Sequence, residues 1–123
     1  MSTIESLLMN LRPGRVLDAT MAHIFGWAYV SYSPDGDPRV HDPYGGMHCC
    51  PKYSTDLNDA WLLIRDLEHC DFNLRKDYDF EFWICQIRPP NARAYEIRGI
   101  TAPHAICLAA LKVKGLYDNG LYE

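Results

Sequence analysis

Apolar residues recur at helical spacing in four places along the chain. Ile4, Leu7, Leu8 and Leu11 share one face of a first segment that Pro13-Gly14 ends. Leu17, Met21 and Ile24 do the same over Arg15 to Phe25, with Gly26 as the stop. The clearest stripe follows Ser54-Thr55-Asp56, where Leu57, Ala60, Trp61, Ile64 and Leu67 lie three and four apart and predict a helix lying on a sheet. The last helix is predicted from Thr101 as N-cap, with Pro103 in the tolerant first turn. Ile106, Ala109, Ala110 and Val113 form its buried face, and Gly115 ends it ahead of a short tail.

Strand patterns fall between these stripes. Trp27, Tyr29, Val30 and Tyr32 are strong strand formers, and the dense turn signal of residues 33 to 38 stops them. Residues 39 to 52 carry two prolines and two glycines without a period, so a long loop is expected, with one short strand at Val40 to Asp42. Asp71 to Asp77 reads as a polar connection. Tyr78 to Arg88 reads as the central strand, apolar on both faces beyond residue 82 and therefore covered on both. Pro89-Pro90-Asn91 turns the chain into a second strand from Ala92 to Arg98.

The order of elements predicts an α+β fold, an α-β-α sandwich with a small antiparallel sheet of three to five strands and two or three helices. A length of 123 residues suits one domain, with an ordered core at about 15 to 114. The hydrophobic fraction of 48% and charged fraction of 23% are enough to build that core.

Charge then narrows the partners. Twelve basic residues against sixteen acidic ones give −4, so no global positive field exists to collect duplex nucleic acid by counterion release. A small anion needs only two or three local arginines. The five cysteines, an odd count, together with the absence of an apolar run behind a basic amino terminus, predict reduced thiols in the cytoplasm. The apolar stretches are short of the roughly 20 residues of a membrane helix, so no membrane partner is expected.

Phe25-Gly26-Trp27, the Tyr53-Ser54-Thr55-Asp56 helix start with Ala60-Trp61 behind it, the aromatic strand and Ala105-Ile106-Cys107-Leu108-Ala109-Ala110-Leu111 occur in a distinctive order. That order resembles the phage ABA sandwich domain, a family of small phage and prophage proteins, over about residues 15 to 114. The resemblance implies helices on both sides of an antiparallel sheet. Most members have no assigned reaction. Some phage proteins that look similar in size and layout act as sponges for the cyclic nucleotide signals of bacterial defence, such as cyclic ADP-ribose isomers. That group implies a nucleotide-like ligand but transfers no contact residue to this chain.

Candidate chemistry is weighed residue by residue. The helix start at Tyr53, Ser54 and Thr55 offers backbone N–H groups and a dipole to a phosphate, although Asp56 favours simple capping there. Arg88, Arg93 and Arg98 surround the Asn91 turn with Phe82 and Tyr95 nearby. Forked guanidiniums and a stacking ring are what a nucleotide site needs, and solvated strand ends are the plainer reading. Thr101 and His104 open the last helix, where a second anion site could form, His104 otherwise lying partly exposed without a special duty. In a homodimer that end and a partner's arginine-rich hairpin could share one ligand.

His48-Cys49-Cys50 lacks the spaced second pair of a zinc site, and no Walker loop, Gly-x-Ser-x-Gly or dinucleotide fingerprint occurs. No cofactor and no enzyme are expected. The leading expectation is a homo-oligomer that sequesters a small cyclic or phosphorylated nucleotide without turnover, against host anti-phage defence. The rivals are a module that binds a polypeptide through the Tyr- and Trp-rich surface and the 39 to 52 loop, and a hydrolase of the same ligands with His104 or His48 as base.

Overall fold

The computed structural model describes residues 11–25, 29–32, 34, 36–67 and 70–118. Its elements are α1 (Arg15–Ile24), β1 (Tyr29–Tyr32), β2 (Pro38–His41), β3 (Met47–Cys49), α2 (Leu57–Asp66), β4 (Asp71–Asp77), β5 (Phe82–Arg88), β6 (Tyr95–Gly99) and α3 (Ala102–Asp118). Residues 1 to 10 of the helix read over Met1 to Leu11, the Gly26 stop and the end of the tail lie outside the described residues.

Every residue of α3 from His104 to Ala110 is buried. A helix apolar all round has to be enclosed, and β5 and β6 cover one side of it while α2 and α1 cover others. The six strands form two antiparallel sheets of three, β1-β2-β3 and β4-β5-β6. Helix α1 touches β1 and β2 as well as α3, so the helices stand between the two sheets in an α+β sandwich. The expected single sheet is thus divided.

Alternation explains the larger sheet. Tyr95, Ile97 and Gly99 of β6 are buried while Glu96 and Arg98 are exposed, and Cys85 and Ile87 of β5 share the inner face. The expectation that β5 is covered on both faces holds for the inner face and, at Ile84, for part of the outer one. No described element packs on the outer face, and Ile84 is buried there between its register partners Arg75 and Arg98, whose long stems cover apolar neighbours.

Other boundaries moved for identifiable reasons. Residues 71 to 77 are an edge strand, because half-buried Phe72 and Leu74 alternate with exposed Asn73 and Arg75 inside a charged segment. The supposed loop at 39 to 52 is a hairpin, β2 paired with β3. Its turn is built by Asp42, whose Oδ1 accepts from Tyr44 N at 2.9 Å and Gly46 N at 2.8 Å, with Gly45 at φ 89°.

Helix α2 begins one residue after its N-cap Asp56 and buries Ala60 and Leu63 against α3, a helix and not a sheet. Trp61 stays 52% exposed and packs on Phe72 in an edge-to-face pair with ring centres 5.1 Å apart. Gly115 does not stop α3, since a helical glycine costs only about 1 kcal/mol.

Two contacts hold the helices in place. A Cβ on Gly99 would lie 2.6 Å from Ala105 Cα, so the end of β6 can press on the first turn of α3 only without a side chain. Ser54, fully buried, donates from N and Oγ to Asp18 Oδ1 at 2.8 and 2.6 Å and accepts from Gly14 N at 2.8 Å, pinning the approach to α2 onto the start of α1.

Gly99→Ala should lower stability by about 1–3 kcal/mol through overpacking, measured by urea denaturation. Asp18→Ala should cost about 1–3 kcal/mol, because it strips the acceptor from a buried backbone N–H; Asp18→Asn, which keeps an oxygen there, should cost less. Burial raises the Asp18 pKa above its ordinary 3.8, and the Ser54 bonds only partly oppose this. The native state then holds the proton more tightly than the unfolded chain. Stability from this group is full below 3.8 and is lost as pH rises through the raised value. The difference between wild-type and Asp18→Asn denaturation midpoints, followed with pH, should therefore move in that direction.

Candidate functional site

Sequence reasoning gathered three arginines around one turn, and the ladder separates them. Arg98 pairs in register with Ile84, four residues from Arg88 along β5, which is about 13 Å of strand. The two ends of the hairpin therefore line different clefts.

The first cleft, of about 540 Å³, lies at the Pro89-Pro90-Asn91 turn and includes Arg88, Arg93 and Asp71. Asn91 takes the left-handed conformation, φ 59°, that lets the turn close. Asp71, the register partner of Arg88, accepts from Arg88 Nε at 3.2 Å and from its Nη2. A carboxylate of the same chain already occupies this guanidinium, which corrects the expectation that Arg88 is open to a ligand.

The second cleft, of about 510 Å³, lies between the start of α1 and the β2–β3 hairpin. Arg15, Arg39, Lys52 and Thr55 line it together with Asp18 and Asp37. Arg15 Nη1 pairs with Asp37 at 3.2 Å. The helix start beside it is not an anion site. Thr55 N and Asp56 N donate to Lys52 O, while Asn58 N and Asp59 N donate to Asp56 Oδ1, so the positive end is capped from within. Ser54 is consumed by Asp18 and Gly14, and Tyr53 is a buried core ring; neither presents a group to a ligand.

The third cleft, of about 300 Å³, has a different character. Leu11, Arg12, Phe82, Arg98, Gly99, Ile100 and His104 line it. The Arg98 guanidinium lies 5.8 Å from the centre of the Phe82 ring, whose neighbour Phe80 stacks at 6.4 Å. No carboxylate is among its described lining residues, in contrast to the other two clefts. Of the residues proposed from sequence, Phe82, Arg98 and His104 come together here, while Arg88, Asn91 and Arg93 form the separate turn cleft. Arg12 was missed, because nothing in the local pattern tells that a residue before Pro13 meets β6.

His104 is not the exposed residue expected. It is 3% exposed; its Nδ1 accepts from Ile100 N at 3.0 Å, and Nε2 lies 2.7 Å from Leu11 O. Thr101 Oγ1 accepts from His104 N at 3.3 Å and caps α3. Burial holds the His104 pKa below its ordinary 6.5. Both ring nitrogens are engaged, so the ring offers neither a ligand contact nor a free lone pair for general-base work.

His48, the other candidate base, has its Nε2 3.0 Å from Asp42 Oδ2. Cys85 and Cys107 are buried and burial pushes Cys85 up to about 12; Cys50 is likewise raised to about 12, chiefly by desolvation. These thiols are poor nucleophiles.

The model of the phage ABA sandwich domain matches residues 21–111. The chain belongs to that family. A 2.0 Å crystal structure of a phage protein from Bacillus cereus ATCC 14579 is similar in fold, with a TM-score of 0.65 and 24% identity over 82% of this chain and 90% of that one. No curated protein matches.

The ABA sandwich match runs from the last turn of α1 into α3, and so includes Phe82, Arg98 and His104 but not Arg12. Among the described residues no helix is long and apolar enough to cross a membrane. Because the Arg88–Asp71 pair is exposed, Arg88→Ala in this ABA sandwich protein should change stability by no more than about 1 kcal/mol in urea denaturation.

Proposed function

We propose that this phage ABA sandwich protein is a non-catalytic binding module for a small phosphate-bearing ligand of the nucleotide type, held in the cleft of Arg12, Phe82 and Arg98. The observation that carries the reading is a guanidinium on an aromatic face, with a second arginine in the same cleft and no carboxylate among its described lining residues. An arginine fork suits two phosphate oxygens, and an aromatic surface suits a base. The satisfied state of His104 supports holding without turnover. Held in this way a cyclic or phosphorylated nucleotide signal is sequestered, which is the use a phage protein would have for it against host defence.

A homo-oligomer belongs to the same reading. Phe82 and Arg98 stand on the outer face of the β4-β5-β6 sheet, which no described element covers, so a second copy there would close the ligand from water. Sedimentation equilibrium with and without nucleotide measures this.

A second reading, binding of a polypeptide, draws on the β2–β3 hairpin, whose Asp42-built turn carries Tyr44 at 97% exposure. The two are separated by a thermal-shift screen with mono-, di- and cyclic nucleotides. A ligand at about 100 times its dissociation constant adds about 2.7 kcal/mol, a shift of several degrees. Arg98→Ala and Phe82→Ala should abolish the shift while Arg93→Ala keeps it, and mass spectrometry of heat-released ligand should find it unaltered. A screen without any shift, or full binding by Arg98→Ala, would remove the proposal.

A further inference from the structure

His104 joins two parts of the chain that are 93 residues apart. Ile100 N can only donate, so Nδ1 must be the acceptor of that bond; in the neutral ring the proton then sits on Nε2, which donates to the Leu11 carbonyl. One protonation state, and one tautomer of it, satisfies both bonds. The imidazolium carries N–H on both nitrogens and would set Nδ1–H against Ile100 N–H.

Leu11 precedes Arg12, and Ile100 follows Arg98 and Gly99, so the ring ties together the two backbones that carry the cleft's arginines. We propose that His104 is the positioning residue of this cleft: as the Nε2–H tautomer it latches the Leu11–Arg12 segment opposite Arg98, and a second proton on the ring, which leaves the Leu11 bond but breaks the Ile100 one, opens the latch at its Ile100 end. Its effect on ligand rests on the proposed function; the latch itself does not.

The surroundings set the direction of the response. Among the described residues the charged groups lining the cleft with His104 are Arg12 from the amino-terminal segment and Arg98 from β6; β5 contributes Phe82, and Thr101, Ala102 and Pro103 of its own first turn carry no charge. Burial opposes a second proton and outweighs the Leu11 carbonyl, which favours one, so the pKa lies below 6.5. Between that lowered value and 6.5 the native state binds fewer protons than the unfolded chain. The latch is therefore complete above 6.5 and lost as pH falls through the lowered value.

Nuclear magnetic resonance of the full-length chain tests this directly. Near pH 7.5 the His104 ring nitrogens should report the Nε2–H tautomer, and the Ile100 amide should resist hydrogen exchange. On acidification, Ile100 protection and the Leu11 and Arg12 amide shifts should change with the same midpoint as the His104 ring, while β5 amides stay protected. An Nδ1–H tautomer, a ring that titrates with Ile100 protection unchanged, or loss of β5 protection at that same midpoint each overturns the latch.

Binding of 3′,5′-cyclic AMP, whose phosphodiester charge is constant over this range, adds a separate arm. One pH unit below the midpoint about one molecule in eleven is latched, so the apparent dissociation constant should rise about ten-fold. No affinity at any pH, with the latch titrating as described, would defeat the proposed function and leave the latch standing. Affinity that stays constant across the midpoint would overturn the positioning role.

Discussion

The requirement to enclose α3 organises the fold. From His104 to Ala110 the helix has no side that tolerates water, and its small residues Ala105, Ala109 and Ala110 let neighbours approach closely. β5 and β6 cover it from one direction and α2 and α1 from others, which makes a sandwich the economical solution for so short a chain. The bare Cα of Gly99 belongs to the same requirement, because the strand that covers the helix is also the one that leads into it.

Buried polar groups then fix positions that apolar packing would leave loose. Asp18 and Ser54 tie the start of α1 to the approach to α2 through bonds of 2.6 to 2.8 Å, and His104 ties the residues before α1 to the start of α3. Removing one partner in either place leaves a buried donor or acceptor unpaired, so these bonds count more for uniqueness of arrangement than for net stability.

Charge distribution separates the three clefts. Two of them contain carboxylates that sit against their own arginines, Asp71 with Arg88 and Asp37 with Arg15. The third places Arg98 on the Phe82 ring with Arg12 in the same lining. In a protein with net charge −4, that local excess of positive charge among the described residues is what the proposed anionic ligand rests on. Membership of the phage ABA sandwich family gives the architecture and leaves the ligand to the site itself.

The sequence by itself determined the helices and the class. Period and punctuation at Leu17-Met21-Ile24, at the Asp56 cap and at Thr101-Pro103 depend on neighbours within a turn or two, and such signals are local. It also determined the central hairpin, because Pro89-Pro90-Asn91 between two apolar alternations has one sensible reading. Tertiary structure decided whatever depends on residues far apart. A charged edge strand at Asp71–Asp77 becomes a strand only because β5 offers it a ladder, and Trp61 stays at the surface because Ala60 and Leu63 face α3 instead. The site followed the same rule. Arg88 and Arg93 are close to Arg98 in sequence yet open into a separate cleft from it, while Arg12 and His104, from opposite ends of the chain, line one cleft. Strand pleat and long-range packing assign those neighbours, and neither is written in any short stretch of residues.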